Sequence, residues 1–133
     1  MPLKLSVVDQ TPVHGCHAKK DAPLLTVELA KLCDELGYHR FWVAEHHNSV
    51  HFANPCPEIM VAHLAAVTKR IRVGSGGVML SHYSPLKVAE SFSMMATLHP
   101  DRIDLGVGRA PGNAGRGNCR PYRISASALR TVA

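Results

Sequence analysis

The chain is predicted to be a parallel α/β protein built from repeated βα units, and three observations predict it. Four short runs, 3–8, 39–44, 71–80 and 102–107, are β-branched or continuously apolar, as strands buried on both faces must be. The runs begin at residues 3, 39, 71 and 102, so 36, 32 and 31 residues apart, the size of one βα unit. Between them lie segments with helical start and stop signals. The order is βαβαβαβ with right-handed crossovers.

Each element has its own justification. The first helix is expected to use Asp21 as its cap and Pro23 near its first position, to bury Leu25, Leu29, Leu32 and Leu36, and to stop at Gly37. Pro57 opens the second, whose expected inward stripe is Met60, His63, Leu64 and Val67 and whose last turn carries Lys69 and Arg70, suiting the helix dipole. The third runs from residue 85 to about 98, with Val88, Phe92 and Met95 inward and Pro100 just past its end. Beyond Arg109 the rhythm stops. Residues 111–133 are rich in Gly, Arg, Ser and Ala and are expected to be an irregular or aberrant tail, distinct from a domain of residues 1–110.

Composition bounds the rest. With 133 residues, 46% of them hydrophobic and 19% charged, the chain makes one ordinary globular domain at most. A whole (β/α)8 barrel, at roughly 250 residues, does not fit. No apolar run approaches the ~20 residues of a membrane span, and the first residues lack a signal-peptide pattern, so a cytoplasmic location away from membranes is expected. Cys16, Cys33, Cys56 and Cys119 are scattered without a CxxC and are expected to be reduced. The net charge of +5 does not point to nucleic acid. Residues 1–104 hold ten Lys and Arg against ten Asp and Glu, and the excess is Arg109, Arg116, Arg120, Arg123 and Arg130.

In parallel α/β folds ligands bind beyond the carboxyl ends of the strands. After the first strand come Asp9 and Gln10; after the second, Glu45, His46 and His47; within the third, Gly74-Ser75-Gly76-Gly77; after the fourth, Gly108 and Arg109. These polar and glycine-rich residues fall on one rim. A histidine titrating near neutrality suits proton transfer or an anionic ligand, while an ordinary surface or hydrogen-bonded histidine is the competing reading. Glycines inside an apolar strand mark a bulge or a close backbone approach, fitting a flat ring laid on the backbone, with tight packing on a helix as the competitor. Arg109 offers a planar fork to a phosphate or carboxylate; otherwise it is a surface residue. The HHxxxHxxxxC spacing from His46 to Cys56 matches no zinc pattern, and HExxH, GxSxG, GxGxxG and GxxxxGK[ST] are all absent.

The succession SVVDQTP, GYHRFWVAEHH, ANPCPEIMVAHLAAVTKRIRVGSGGVML, SPLKVAE and HPDRIDLGVGRAPG resembles the N-terminal half of the bacterial-luciferase-like flavin monooxygenases, over roughly residues 3–112. The resemblance implies the first half of a TIM (β/α)8 barrel, truncated. It implies reduced FMN supplied by a separate reductase, dioxygen as co-substrate, and oxidation of an organic substrate whose identity the residues do not reveal. By position His46 matches the family's active-site histidine. Glu45 and His47 beside it, Ser75, Gly76 and Gly77 at a bulge that often holds a non-proline cis peptide, and Arg109 after the fourth strand are the expected cofactor-binding residues, with no metal. Gly108 stands where luciferase carries a reactive cysteine. Four strands leave an open sheet edge, so a homo-oligomer is expected. The rival reading is a catalytically inactive half-barrel acting through self-association or as a subunit.

Overall fold

The structure is a computed structural model that describes residues 3–15 and 18–110. The stretch 111–133, and with it the expected tail and Cys119, lies outside the described residues, as does Cys16. The elements alternate as β1 (Ser6–Asp9), α1 (Ala22–Glu35), β2 (Arg40–Val43), α2 (Pro57–Val67), β3 (Arg72–Met79), α3 (Pro85–Leu98) and β4 (Ile103–Gly108). A single 3-10 turn, Leu80–His82, follows β3. All strand pairs are parallel and the sheet order is β1-β2-β3-β4, the arrangement of consecutive βα units in the first part of a barrel.

One face of the sheet meets the helices. Phe41, Val43, Val73 and Val78 project there and pack with Val27, Ala30 and Cys33 of α1, Val61 and Leu64 of α2, and Val88, Phe92 and Met95 of α3. The α3 stripe is the one its periodicity predicts. The opposite face is polar at its lower end. Asp104 accepts from Arg40 Nε at 2.9 Å and from Arg72 Nε and Nη2 at 2.9 and 2.6 Å, and the two guanidiniums, Arg72 foremost, hold its carboxyl below the usual aspartate range against the opposing effect of burial.

The first two helices correct the sequence reading. On α1 the buried residues are Ala22, Thr26, Val27, Ala30, Cys33 and Asp34, whereas Leu25, Leu29, Leu32 and Leu36 are 38–66% exposed. The small-residue stripe joins the core, and the leucine stripe turns to a flank where it stays exposed. On α2 the inward residues are Pro57, Val61, Leu64 and Ala65; His63 is exposed, a rotation of the expected stripe by about one position. Asp21 does not cap α1 with its side chain but accepts from the Ala18 N–H at 3.1 Å. Nor do Lys69 and Arg70 close α2, which ends at Val67. Their N–H groups, with that of Ile71, donate to the carboxylate of Asp34 at 2.7, 2.9 and 2.7 Å. Burial alone would raise that carboxyl, but the three donors hold it below its usual range.

Candidate functional site

The carboxyl ends of the strands form the rim, and register fixes which residues meet there. Val43 lies opposite Ser75, so the residues leaving β2 run beside the bulge that separates Ser75 from Val78 in β3. The Gly76–Gly77 peptide is cis, as the resemblance implies. Gly76 is exposed, and a Cβ there would come within 3.2 Å of Trp42 Cβ. A second contact explains Gly74, whose Cβ would stand 2.7 Å from the indole. Trp42 and these glycines thus form a flat, closely fitted strip on the face away from the helices.

Ser75 takes another role. It is fully buried, and its hydroxyl donates to the Gly106 carbonyl at 2.9 Å while accepting from the Gly106 N–H at 3.2 Å. The side chain therefore replaces ladder bonds that the bulge interrupts, and the residue, with no exposed surface, braces the bulge rather than lining a cofactor surface as the resemblance implies.

Glu45 is also internal, with its carboxylate entirely shielded. It accepts from Met79 N–H at 2.8 Å, from Tyr83 Oη at 2.7 Å and from His47 Nε2 at 2.5 Å, tying the end of β2 to the end of β3 and the turn beyond. Tyr83 is pushed well above the ordinary phenol range, first by burial and then by its bond to Glu45. His47 is one-third exposed, and its other edge approaches the His82 ring at 5.3 Å.

His46 stands apart from this network. Its backbone N–H donates to the Asn54 carbonyl at 2.9 Å and its ring stacks on Phe52, with centroids 4.2 Å apart. Among the described residues, His46 Nε2 is the buried side-chain polar atom that lacks a hydrogen-bond partner. Burial lowers the proton affinity of this imidazole below the ordinary histidine value; Glu45 opposes that effect and His47 adds to it. A neutral ring with one unsatisfied buried nitrogen is chemically suited to bind a polar group or to accept a proton. Arg109 is exposed directly after β4, Asp9 is buried beneath the rim and Gln10 is exposed.

Trp42, Phe52, Asn54 and Tyr83 were not singled out by sequence reasoning. For Trp42 the signal was present, since strand alternation from buried Phe41 and Val43 places it on the opposite face. The other three act through contacts between loops, which periodicity does not encode.

A parallel sheet of consecutive βα units, with its glycine strip, imidazole and arginine on the carboxyl rim, has the architecture of the first part of a (β/α) barrel. The family model described as luciferase-like monooxygenase matches residues 4–118, and the chain belongs to that family. Among curated relatives it is 52% identical to N-acetyl-S-alkylcysteine monooxygenase of Bacillus subtilis (strain 168) over 128 residues, covering 96% of this chain and 36% of that protein. It is 43% identical to a luciferase-like monooxygenase of Escherichia coli (strain K12), covering 84% and 33%. The crystal structure of apo-MsnO8 superposes with a TM-score of 0.79 at 58% identity, over 82% of this chain and 33% of that one. The oxygenating constituent of 3,6-diketocamphane monooxygenase from Pseudomonas putida, in complex with FMN, shares the fold with a TM-score of 0.76 at 20% identity, over 82% and 30%. The chain spans about a third of the length of the relatives it matches. Among the described residues, no helix is long and apolar enough to cross a membrane.

Proposed function

We propose that this chain carries the flavin-facing rim of an FMN-dependent monooxygenase that uses reduced FMN and dioxygen to oxidise an organic substrate. The observation that carries the proposal is the buried, unpartnered Nε2 of His46 on the same carboxyl rim as an exposed glycine bulge. The residues fit the group: a flat ring needs a shelf without side chains, which Gly76 and Gly77 supply, and its polar edge needs a partner that His46 Nε2 lacks. When bound, reduced FMN supplies the electrons with which dioxygen is activated. His46 holds or passes a proton at Nε2, neutral by virtue of its burial. Gly76 and Gly77 carry the ring on backbone alone, and buried Ser75 braces the bulge that presents them. Glu45 and His47 brace the segment on which His46 sits. Arg109 offers its guanidinium to the anionic end of the cofactor.

The reduced cofactor comes from a separate reductase, and the outer edges of β1 and β4, which no described strand pairs, favour an oligomer. The name of the Bacillus subtilis relative supports a thioether as the first substrate class to try. Anaerobic titration of reduced FMN against the chain, followed by flavin absorbance and fluorescence, tests the proposal. Saturable perturbation that weakens at least several-fold in His46→Gln and in Arg109→Ala is expected. An unperturbed flavin at high protein concentration would sink it.

A further inference from the structure

Two loops with no assigned role hold His46 in place. The segment after β1 and the segment after β2 pair as a short antiparallel bridge between Pro12 and Phe52. Val13 N–H donates to the His51 carbonyl at 2.8 Å and Ala53 N–H to the Thr11 carbonyl at 3.0 Å. The bridge is anchored from below. Thr11 is fully buried with a positive φ of 52°, and its N–H and hydroxyl meet Asp9 Oδ2 at 3.2 and 3.4 Å. Thr26 of α1 donates to the same oxygen at 2.5 Å. A threonine in the left-handed region persists only where its surroundings hold it, and here a carboxylate and a helix do so.

Above the bridge stands Phe52, its ring parallel to His46 within 22°. The next residues close the arrangement: Asn54 is buried, donates its side-chain amide to the Ala44 carbonyl at 2.9 Å, and accepts the His46 N–H on its own carbonyl. Backbone and ring of His46 are thus gripped by one three-residue stretch, Phe52 to Asn54. We infer that Phe52, carried on the bridge to Pro12, is a positioning residue for His46: its ring fixes the imidazole plane and leaves Nε2 as a single oriented, desolvated hydrogen-bonding atom. An aromatic partner suits this task because stacking fixes a plane without spending a ring nitrogen.

The inference rests on His46 being the proton-handling group proposed above, but its test does not need flavin. The titratable groups around His46 are Glu45 and His47 on its own segment and Tyr83, bound to Glu45, from beyond β3; His51 next to Phe52 is exposed. Proton NMR of the histidine ring signals, assigned with His46→Gln among the nine histidines, reads the stack directly. In the wild-type chain the His46 ring protons are expected upfield of the others, and their titration midpoint below the ordinary histidine value. Phe52→Leu keeps apolar bulk without a ring; it should abolish the upfield shift and raise the midpoint, while Phe52→Tyr retains both. Ordinary His46 shifts in the wild-type chain would overturn the inference, as would an unchanged His46 in folded Phe52→Leu. If Phe52→Leu moves the His46 signals and His46→Gln leaves the flavin titration untouched, the positioning role stands and the proposed role of His46 fails.

Discussion

Tyr83 donates its hydroxyl to the Glu45 carboxylate at 2.7 Å, across 38 residues of chain, and so couples the start of α3 to the end of β2. Glu45 is wholly shielded, so each donor lost leaves a buried anion less compensated. Tyr83→Phe keeps the ring and removes one of three donors, for an expected loss of about 1–2 kcal/mol by urea unfolding. The phenol also predicts an alkaline limb. Its folded pKa is raised, so the folded state keeps a proton that the unfolded chain releases from about pH 10 upward. Stability from this group is complete below that pH and falls as pH rises through it. The limb should flatten in Tyr83→Phe.

Asp34 predicts the acid side. Its carboxylate caps three consecutive N–H groups between α2 and β3, at Lys69, Arg70 and Ile71, and its folded pKa is lowered. The contribution is therefore present above the unfolded value near 3.8 and is lost as pH falls through the lower folded value. Asp34→Ala should cost about 2–4 kcal/mol, because three donors in a half-buried loop lose their acceptor, and Asp34→Asn somewhat less. Chemical denaturation between pH 3 and 7 checks both, and a variant as stable as wild type at pH 7 would remove Asp34 as the pin of this loop.

Strand identity was legible because the strand runs are mostly apolar, as at Phe41–Val43 and Val78–Met79, and proline starts at Pro57 and Pro85 mark helix beginnings without tertiary help; the sequence overstates burial at the outer strands, where Val8, Leu105 and Val107 are exposed. Helix faces were legible only where one apolar stripe competes with nothing. On α3 Val88, Phe92 and Met95 had no rival; on α1 a leucine stripe and a small-residue stripe coexist, and hydrophobicity ranks the wrong one first. Within the site, His46 and the Gly76–Gly77 bulge could be placed on one rim by counting from strand ends. The partners that separate shielded Glu45 from unsatisfied His46 come from Tyr83, Phe52 and Asn54, whose approach depends on loop paths that no period records.

The two stripes of α1 make opposite predictions. Leu32 and Leu36 are 50% and 66% exposed, so replacing both by Lys should change stability by no more than about 1 kcal/mol in total. Ala30 is fully buried in the core, and Ala30→Leu should overpack it at a cost of about 1–3 kcal/mol. Thermal unfolding of the two variants decides between the faces. Reversed rankings would restore the leucines to the core.

Beside the bulge, Gly106 and Gly108 on β4 form an internal control. A Cβ on Gly106 would stand 2.2 Å from the Ser75 carbonyl oxygen, a backbone atom that moves only if β3 and β4 part. The nearest atom to a Cβ on Gly108 is the Val78 carbonyl oxygen at 3.9 Å, an ordinary contact. Gly106→Ala should therefore cost more than about 3 kcal/mol and disturb the Ser75 hydroxyl that bridges the bulge, while Gly108→Ala stays within about 1 kcal/mol. Hydrogen exchange locates the damage: in Gly106→Ala the N–H groups of residues 103–108 should lose protection before those of β1 and β2, because only the β3–β4 ladder is forced apart. Equal stability of the two variants would mean that β4 does not approach the bulge as closely as the Ser75–Gly106 bonds require, and the glycine strip at the rim would lose its support from that side.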